Sequence, residues 1–213
     1  MNYPADLAEQ LPSDTPPAAP RYVVDPDRIE HVQRRLSAGD HALTPALDRL
    51  AANADAALER GPYTVTSKPK PPPKGDRHDY MSMGPYWWPN PDTPDGLPYV
   101  RRDGEVNPES RQGDRPALQA MAQDVTTLCM AHAFCPRDAF ARHAVRLLRT
   151  WFLDPATRMN PHLRFGQAIP GVCDGRGIGI IDTTACVPLL QAIGMLDHAD
   201  GLREQDRTGL QHW

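Results

Sequence analysis

The stretch from Gly75 to Pro91 holds the densest set of ligand-recognising groups in this chain of 213 residues. Trp87 and Trp88 lie between Pro85 and Pro89, which stiffen the backbone on both sides. Their flat faces offer a platform for sugar rings, bases or cationic groups. His78, Tyr80, Tyr86 and Asn90 bring hydrogen-bonding groups suited to hydroxyls. The two tryptophans would equally serve to pin a long loop onto a helical body, and the two duties are compatible. Arg101, Arg102, Arg111 and Arg115 follow closely, in a chain whose net charge is −4. Such a cluster suits a carboxylate or phosphate, which guanidinium binds in a bidentate fashion, although any single arginine is as readily a solvated surface residue.

A second candidate segment runs from Asn160 to Gly179, with Gln167 and Arg176 as its ligand-facing polar groups. Its glycines lack the Gly-Lys-Ser/Thr ending of a phosphate loop, and they serve as well for tight turns. His132 and His143 fall within helical patterns, where packing or solvation accounts for them. There is no His-Glu-x-x-His pair and no Gly-x-Ser-x-Gly, so neither a metal site nor a serine hydrolase is expected. Cys129, Cys135, Cys173 and Cys186 form no Cys-x-x-Cys pair; Cys129 and Cys186 read as buried thiols, with a disulfide left open.

These groups must be held by helices. Ile29, Val32 and Leu36 make one stripe, stopped by Gly39. Leu47, Leu50, Ala51, Ala54 and Leu58 make another, with Thr44 as N-cap and Gly61 as stop. Leu118, Met121, Val125, Leu128 and His132 share a face of a third helix. A fourth, opened by Pro136, carries Phe140, Ala144, Leu147, Leu148 and Trp151 inward. Thr183 or Thr184 is expected to cap a fifth, with Ala185, Leu189, Ile193 and Leu196 inward, and Leu202–Trp213 starts a further one. No strand of four or more alternating residues is evident. The prediction is an all-α fold, a toroid of antiparallel helix hairpins with long loops, over residues 26–213, behind an extended Pro-rich leader over 1–25.

Of 24 prolines, a usage about twice the ordinary 5%, ten lie between Pro62 and Pro98. Aromatic and charged residues in the same stretch argue for an ordered loop rather than a linker. A pI near 6.0 argues against a general grip on nucleic acid. No uninterrupted apolar run approaches the roughly 18–20 residues of a membrane span. The N-terminus shows neither the basic nor the apolar part of a secretory signal.

The run from Lys74 through Trp88, its continuation from Asp95 to Glu109, and the segments Gly166–Gly171 and Gly175–Asp182 resemble the alginate lyase domain family, over residues 22–213. The resemblance implies a bacterial polysaccharide lyase with an incomplete (α/α) toroid. It implies no cofactor, no obligatory metal, and an acidic polysaccharide such as alginate or glucuronan as partner. It also implies a periplasmic location, with cytoplasmic retention left open by the N-terminus.

The implied chemistry is β-elimination. The C5 proton of a uronate is barely acidic until its carboxylate is neutralised by hydrogen-bond donors. A Tyr or His base then removes that proton, and an acid protonates the departing O4. By resemblance Gln167 is the neutralising, catalytic amide, while His78, Tyr80, Tyr86, Trp87, Trp88, Arg101 and Arg176 bind substrate. The family's Asn-Asn-His segment and its later Arg- and Tyr-bearing segment have no counterpart here, and the chain stops inside an amphipathic helix with Leu210 and Trp213 uncovered. The expectation is therefore the N-terminal part of a lyase domain, without turnover on its own; the alternative is a non-catalytic acidic-polysaccharide-binding module or an inactive fragment. The choice of uronate, endo or exo cleavage, and the oligomeric state stay open.

Overall fold

The computed structural model describes residues 25–135, 137–196 and 202–213. The expected leader, apart from Asp25, and the helix-opening Pro136 lie outside the described residues. The described chain is helix-rich. Helix α1 (Pro26–Ser37) starts at Asp25, whose carboxylate accepts the Asp27 N–H at 3.0 Å. Helix α2 (Thr44–Leu58) follows a 3-10 turn at His41–Leu43; Thr44 is its first residue rather than a side-chain cap, because Asp40 caps the preceding turn.

Helix α3 (Arg115–Phe134) is the centre of the molecule, packed against α2, against α4 (Asp138–Leu148) and against α5 (Cys186–Gly194). It is buried on several faces, through Leu118, Met121, Ala122, Val125, Leu128, Cys129 and Ala131, as a helix covered from three sides must be. Helix α4 instead buries a single face, with Phe140, Ala144, Leu147 and Leu148 inward and Arg142 and Arg146 outward. It runs into a π-turn at Arg149–Leu153 that turns both Trp151 and Phe152 into the core.

Helix α6 (Glu204–His212) docks on that turn. Arg149 grips Asp206 with Nε at 2.9 Å from Oδ1, and Asp206 in turn accepts the Arg203 N–H at 2.9 Å. The expectation that Leu210 and Trp213 are uncovered fails for Leu210, which packs against the core, while Trp213 stays 37% exposed. The Trp213 indole meets Phe152 edge-on at 4.6 Å and donates to the Met159 carbonyl at 2.8 Å.

Among the described residues four short strands also form, too short for alternation to reveal. Strand β1 (Met81–Met83) pairs in parallel with β4 (Phe165–Ala168), and β2 (Trp87–Trp88) pairs antiparallel with β3 (Val100–Arg101). They order the long loop between α2 and α3. A buried ion pair, Lys68 Nζ to Asp114 Oδ2 at 3.1 Å, ties the start of that loop to the start of α3, and Asp114 also accepts the Met81 N–H at 2.8 Å. Burial pulls the Lys68 ammonium below its ordinary range and pushes the Asp114 carboxyl above its own, each partly restored by the other.

The fifth helix differs from expectation at its start. A 3-10 stretch, Gly177–Ala185, precedes α5, and neither threonine caps it; Thr183 and Thr184 hydroxyls donate back to the Ile180 and Ile181 carbonyls. Together the two segments form a continuous 18-residue helical run, Gly177–Gly194, of mean hydropathy 1.4, of which 22% is buried. The run is not an uninterrupted apolar stretch, because glycines, threonines and the single Asp182 break it up in sequence.

Candidate active site

Two cavities differ sharply in their lining. The larger, about 550 Å³, lies between α5 and α6 and is walled mainly by apolar side chains such as Leu118, Phe152, Leu189, Ile193 and Leu210. The smaller, about 360 Å³, carries the charged and aromatic groups.

The smaller cavity is assembled from four places in the chain. Pro85, Tyr86 and Trp87 come from the aromatic loop, Arg101 from β3, Arg115 from the first turn of α3, and Gln167, Arg176, Ile178 and Ile181 from β4 and the segment after it. Close approach is needed where these meet: a Cβ on Gly84 would lie 2.7 Å from Arg176 Nη2 and 2.8 Å from Trp87 Cδ1. Only glycine lets the aromatic loop lie against that guanidinium.

Behind the cavity sits a polar network. Strand β1 buries Ser82 against β4, where Gln167 adopts φ 54°, a left-handed conformation that costs a side-chain-bearing residue about 1–2 kcal/mol. Its backbone is held on both sides: the Gln167 N–H donates to Ser82 Oγ at 2.8 Å, and Arg176 Nε donates to the Gln167 carbonyl at 2.8 Å. Asp182, with no exposed surface, accepts from Ser82 Oγ at 2.5 Å, Tyr80 OH at 3.0 Å and Gln167 Nε2 at 3.0 Å, with Arg115 Nε at 3.5 Å.

The expected site residues fall into two groups. Tyr86, Trp87, Arg101, Gln167 and Arg176 line the cavity together. His78, Tyr80 and Trp88 do not. Tyr80 is fully buried behind it, its phenol held above the ordinary range by burial and by Asp182. Trp88 spends its indole N–H on the Glu105 carbonyl at 3.0 Å and carries the Arg102 guanidinium 5.2 Å over its ring, so it anchors the loop. His78 is tied to the Arg158 carbonyl at 2.7 Å, beside a separate knot in which Asp79 meets His162 and Asn160 at 3.0 and 2.7 Å.

Gln167 is 3% exposed, and its amide is engaged internally: one N–H goes to Asp182, while Oε1 accepts from Arg176 Nη2 at 3.3 Å. The open space is faced by the guanidiniums, the Arg115 side chain being 34% exposed and that of Arg101 60%. Asp182 and Ser82 escaped sequence reading. The one available signal was that Asp182 is the single charged residue between Gly177 and Gly194, and a lone acid in an apolar run needs partners. Among the described residues no group of three or more His, Cys, Asp or Glu could hold a metal.

A platform of Tyr86 and Trp87 beside three guanidiniums suits a ring bearing a carboxylate. The alginate lyase family profile matches residues 64–213. The chain belongs to the alginate lyase family. A crystal structure of an alginate lyase from Bacteroides ovatus shares its fold, with a TM-score of 0.83 and 40% identity over 88% of this chain. The matched part is 50% of that alginate lyase, so the present chain spans about half the length of that protein. No curated protein matches the chain.

Proposed function

We propose that this alginate lyase family chain is a polysaccharide lyase acting by β-elimination on alginate or a related polyuronate, and that uronate units bind in the cavity beside Trp87. The observation that carries the reading is the meeting of Arg101, Arg115 and Arg176 with Tyr86 and Trp87 around one cavity of about 360 Å³. Guanidinium donors take up the negative charge of a uronate carboxylate, the first requirement for acidifying C5, while the indole stacks on the sugar ring. Proton removal needs a base within hydrogen-bond reach of C5; the Tyr86 phenol is the one hydroxyl among the side chains that line the cavity. The helices that hold this cavity are read as part of an (α/α) toroid, and a periplasmic location fits a polysaccharide substrate.

The test is incubation with alginate and with glucuronan, followed by the ultraviolet absorbance of the unsaturated uronide. Rising absorbance supports lyase activity and overturns the expectation from sequence that this chain has no turnover on its own. A second reading, a non-catalytic module for acidic polysaccharide, is favoured by one observation: none of the described histidines lines the cavity. Retarded migration in an alginate-containing gel with no absorbance change decides for the module. Neither retardation nor absorbance change would remove both readings.

A further inference from the structure

We propose that Asp182 is a positioning residue: through Gln167 and Arg115 it aims the guanidiniums of Arg115 and Arg176 to receive a polyuronate carboxylate, an inference that rests on the polyuronate reading above.

A carboxylate with no exposed surface is tolerated only when donors saturate it, and here the donors converge from three separate elements. Tyr80 and Ser82 come from β1 and the residue before it, Gln167 from β4, and Arg115 from α3. The polarity of the network is set by geometry. Ser82 Oγ accepts the Gln167 backbone N–H, so its own proton is directed to Asp182. Asp182 Oδ2 receives the Tyr80 and Ser82 hydroxyls and acts as an acceptor, and the Gln167 amide turns its nitrogen to Oδ1. Its oxygen is then left for Arg176 Nη2, as observed at 3.3 Å.

Arg176 is thus oriented by an acid whose bonds go to Gln167 rather than to Arg176 itself. With Nε spent on the Gln167 carbonyl and one Nη2 proton on the amide oxygen, the remaining N–H groups of Arg176 are those available to the cavity it lines. Arg115 and Arg176 also repel each other across so small a cavity, and a carboxylate behind them offsets that at close range. The left-handed backbone of Gln167, φ 54°, is maintained by the same bonds; strain of this kind persists where surrounding structure over-determines it.

Asp182→Asn keeps the shape and places an N–H2 donor among groups that are all donors. The experiment measures the affinity of a mannuronate tetramer by calorimetry and the Arg176 Nε–Hε resonance by NMR, in the unsubstituted chain and in Asp182→Asn, with far-ultraviolet circular dichroism as the check on folding. The expected result is a folded variant, a shifted Arg176 resonance even without ligand, and an affinity lower by about tenfold, the scale of a lost hydrogen bond to a charged group. A folded variant in which either the resonance or the affinity is unchanged would overturn the proposal. If Asp182→Asn does not fold, Gln167→Met, which cuts the link at matched volume, takes its place; an unchanged tetramer affinity there overturns the proposal too. Failure of the unsubstituted chain to bind this tetramer and the corresponding guluronate and glucuronate tetramers sinks the polyuronate reading instead, while the ligand-free Arg176 resonance still decides whether Asp182 positions that arginine.

Discussion

Trp87 and Trp88 are neighbours in sequence with different duties in the structure. Trp87 borders the cavity, whereas Trp88 is fastened by Glu105 and covered by Arg102. Trp87→Ala is expected to weaken alginate binding about tenfold, as loss of a stacking face does, with little change in melting temperature; retardation in alginate gels reads the first and a thermal scan the second. Trp88→Ala should do the reverse, costing about 1–2 kcal/mol of stability through the lost hydrogen bond and ring contacts. Tyr80 is a core residue by position, yet its hydroxyl serves the site through Asp182. Tyr80→Phe should lower unfolding stability in urea by about 1–2 kcal/mol, because it leaves the buried carboxylate one donor short.

At the scale of elements, two charged pairs join segments that periodicity alone leaves separate. The Arg149 guanidinium, against some cost of burial, holds the Asp206 carboxyl below its ordinary range, with help from the Arg203 N–H. A carboxyl depressed in the folded state adds stability that is present above its unfolded value, near pH 4, and is lost as pH falls through the folded value. Asp206→Asn should therefore cost about 1–2 kcal/mol at pH 7, discounted for the partial exposure of Arg149. The gap from the unsubstituted chain should shrink below about pH 4; urea titrations at pH 7 and pH 3 check both. Lys68 and Asp114 pin the aromatic loop to α3 with both side chains 3% exposed. Lys68→Met strands a buried carboxylate and should cost about 3–5 kcal/mol, and replacing Asp114 with Leu in the same chain should recover part of that, as denaturant midpoints would show.

Across the whole molecule, the charged cavity and an apolar surface share the segment Gly177–Gly194. Its inner side delivers Asp182 to the network and Leu189 to the core, while Ile178, Ile180, Ile181, Val187 and Leu190 are 48–70% exposed. Large apolar side chains exposed together on one segment favour association. The chain is expected to bind an apolar dye and to associate as its concentration rises, and Ile180→Lys with Leu190→Lys should suppress both without changing circular dichroism; light scattering against concentration checks this. The helices of the core were legible from local information, since Leu118, Met121, Val125 and Leu128, or Phe140, Ala144, Leu147 and Leu148, repeat at helical spacing whatever lies around them. The family was legible for a similar reason: its motifs are contiguous runs, Lys74 to Trp88 and Gly166 to Asp182. The aromatic and guanidinium types suited to a uronate were also present in sequence. Membership of the cavity was not legible. Tyr80 and Tyr86 read alike in one loop, and only pairing of β1 with β4, more than eighty residues apart, turns one into the core and leaves the other at the cavity. The same long-range convergence brings Tyr80, Ser82, Arg115 and Gln167 onto Asp182. Periodicity is set by neighbours a turn away and survives in the sequence; a buried carboxylate's partners are chosen by how distant segments pack, and that information exists only once the chain has folded.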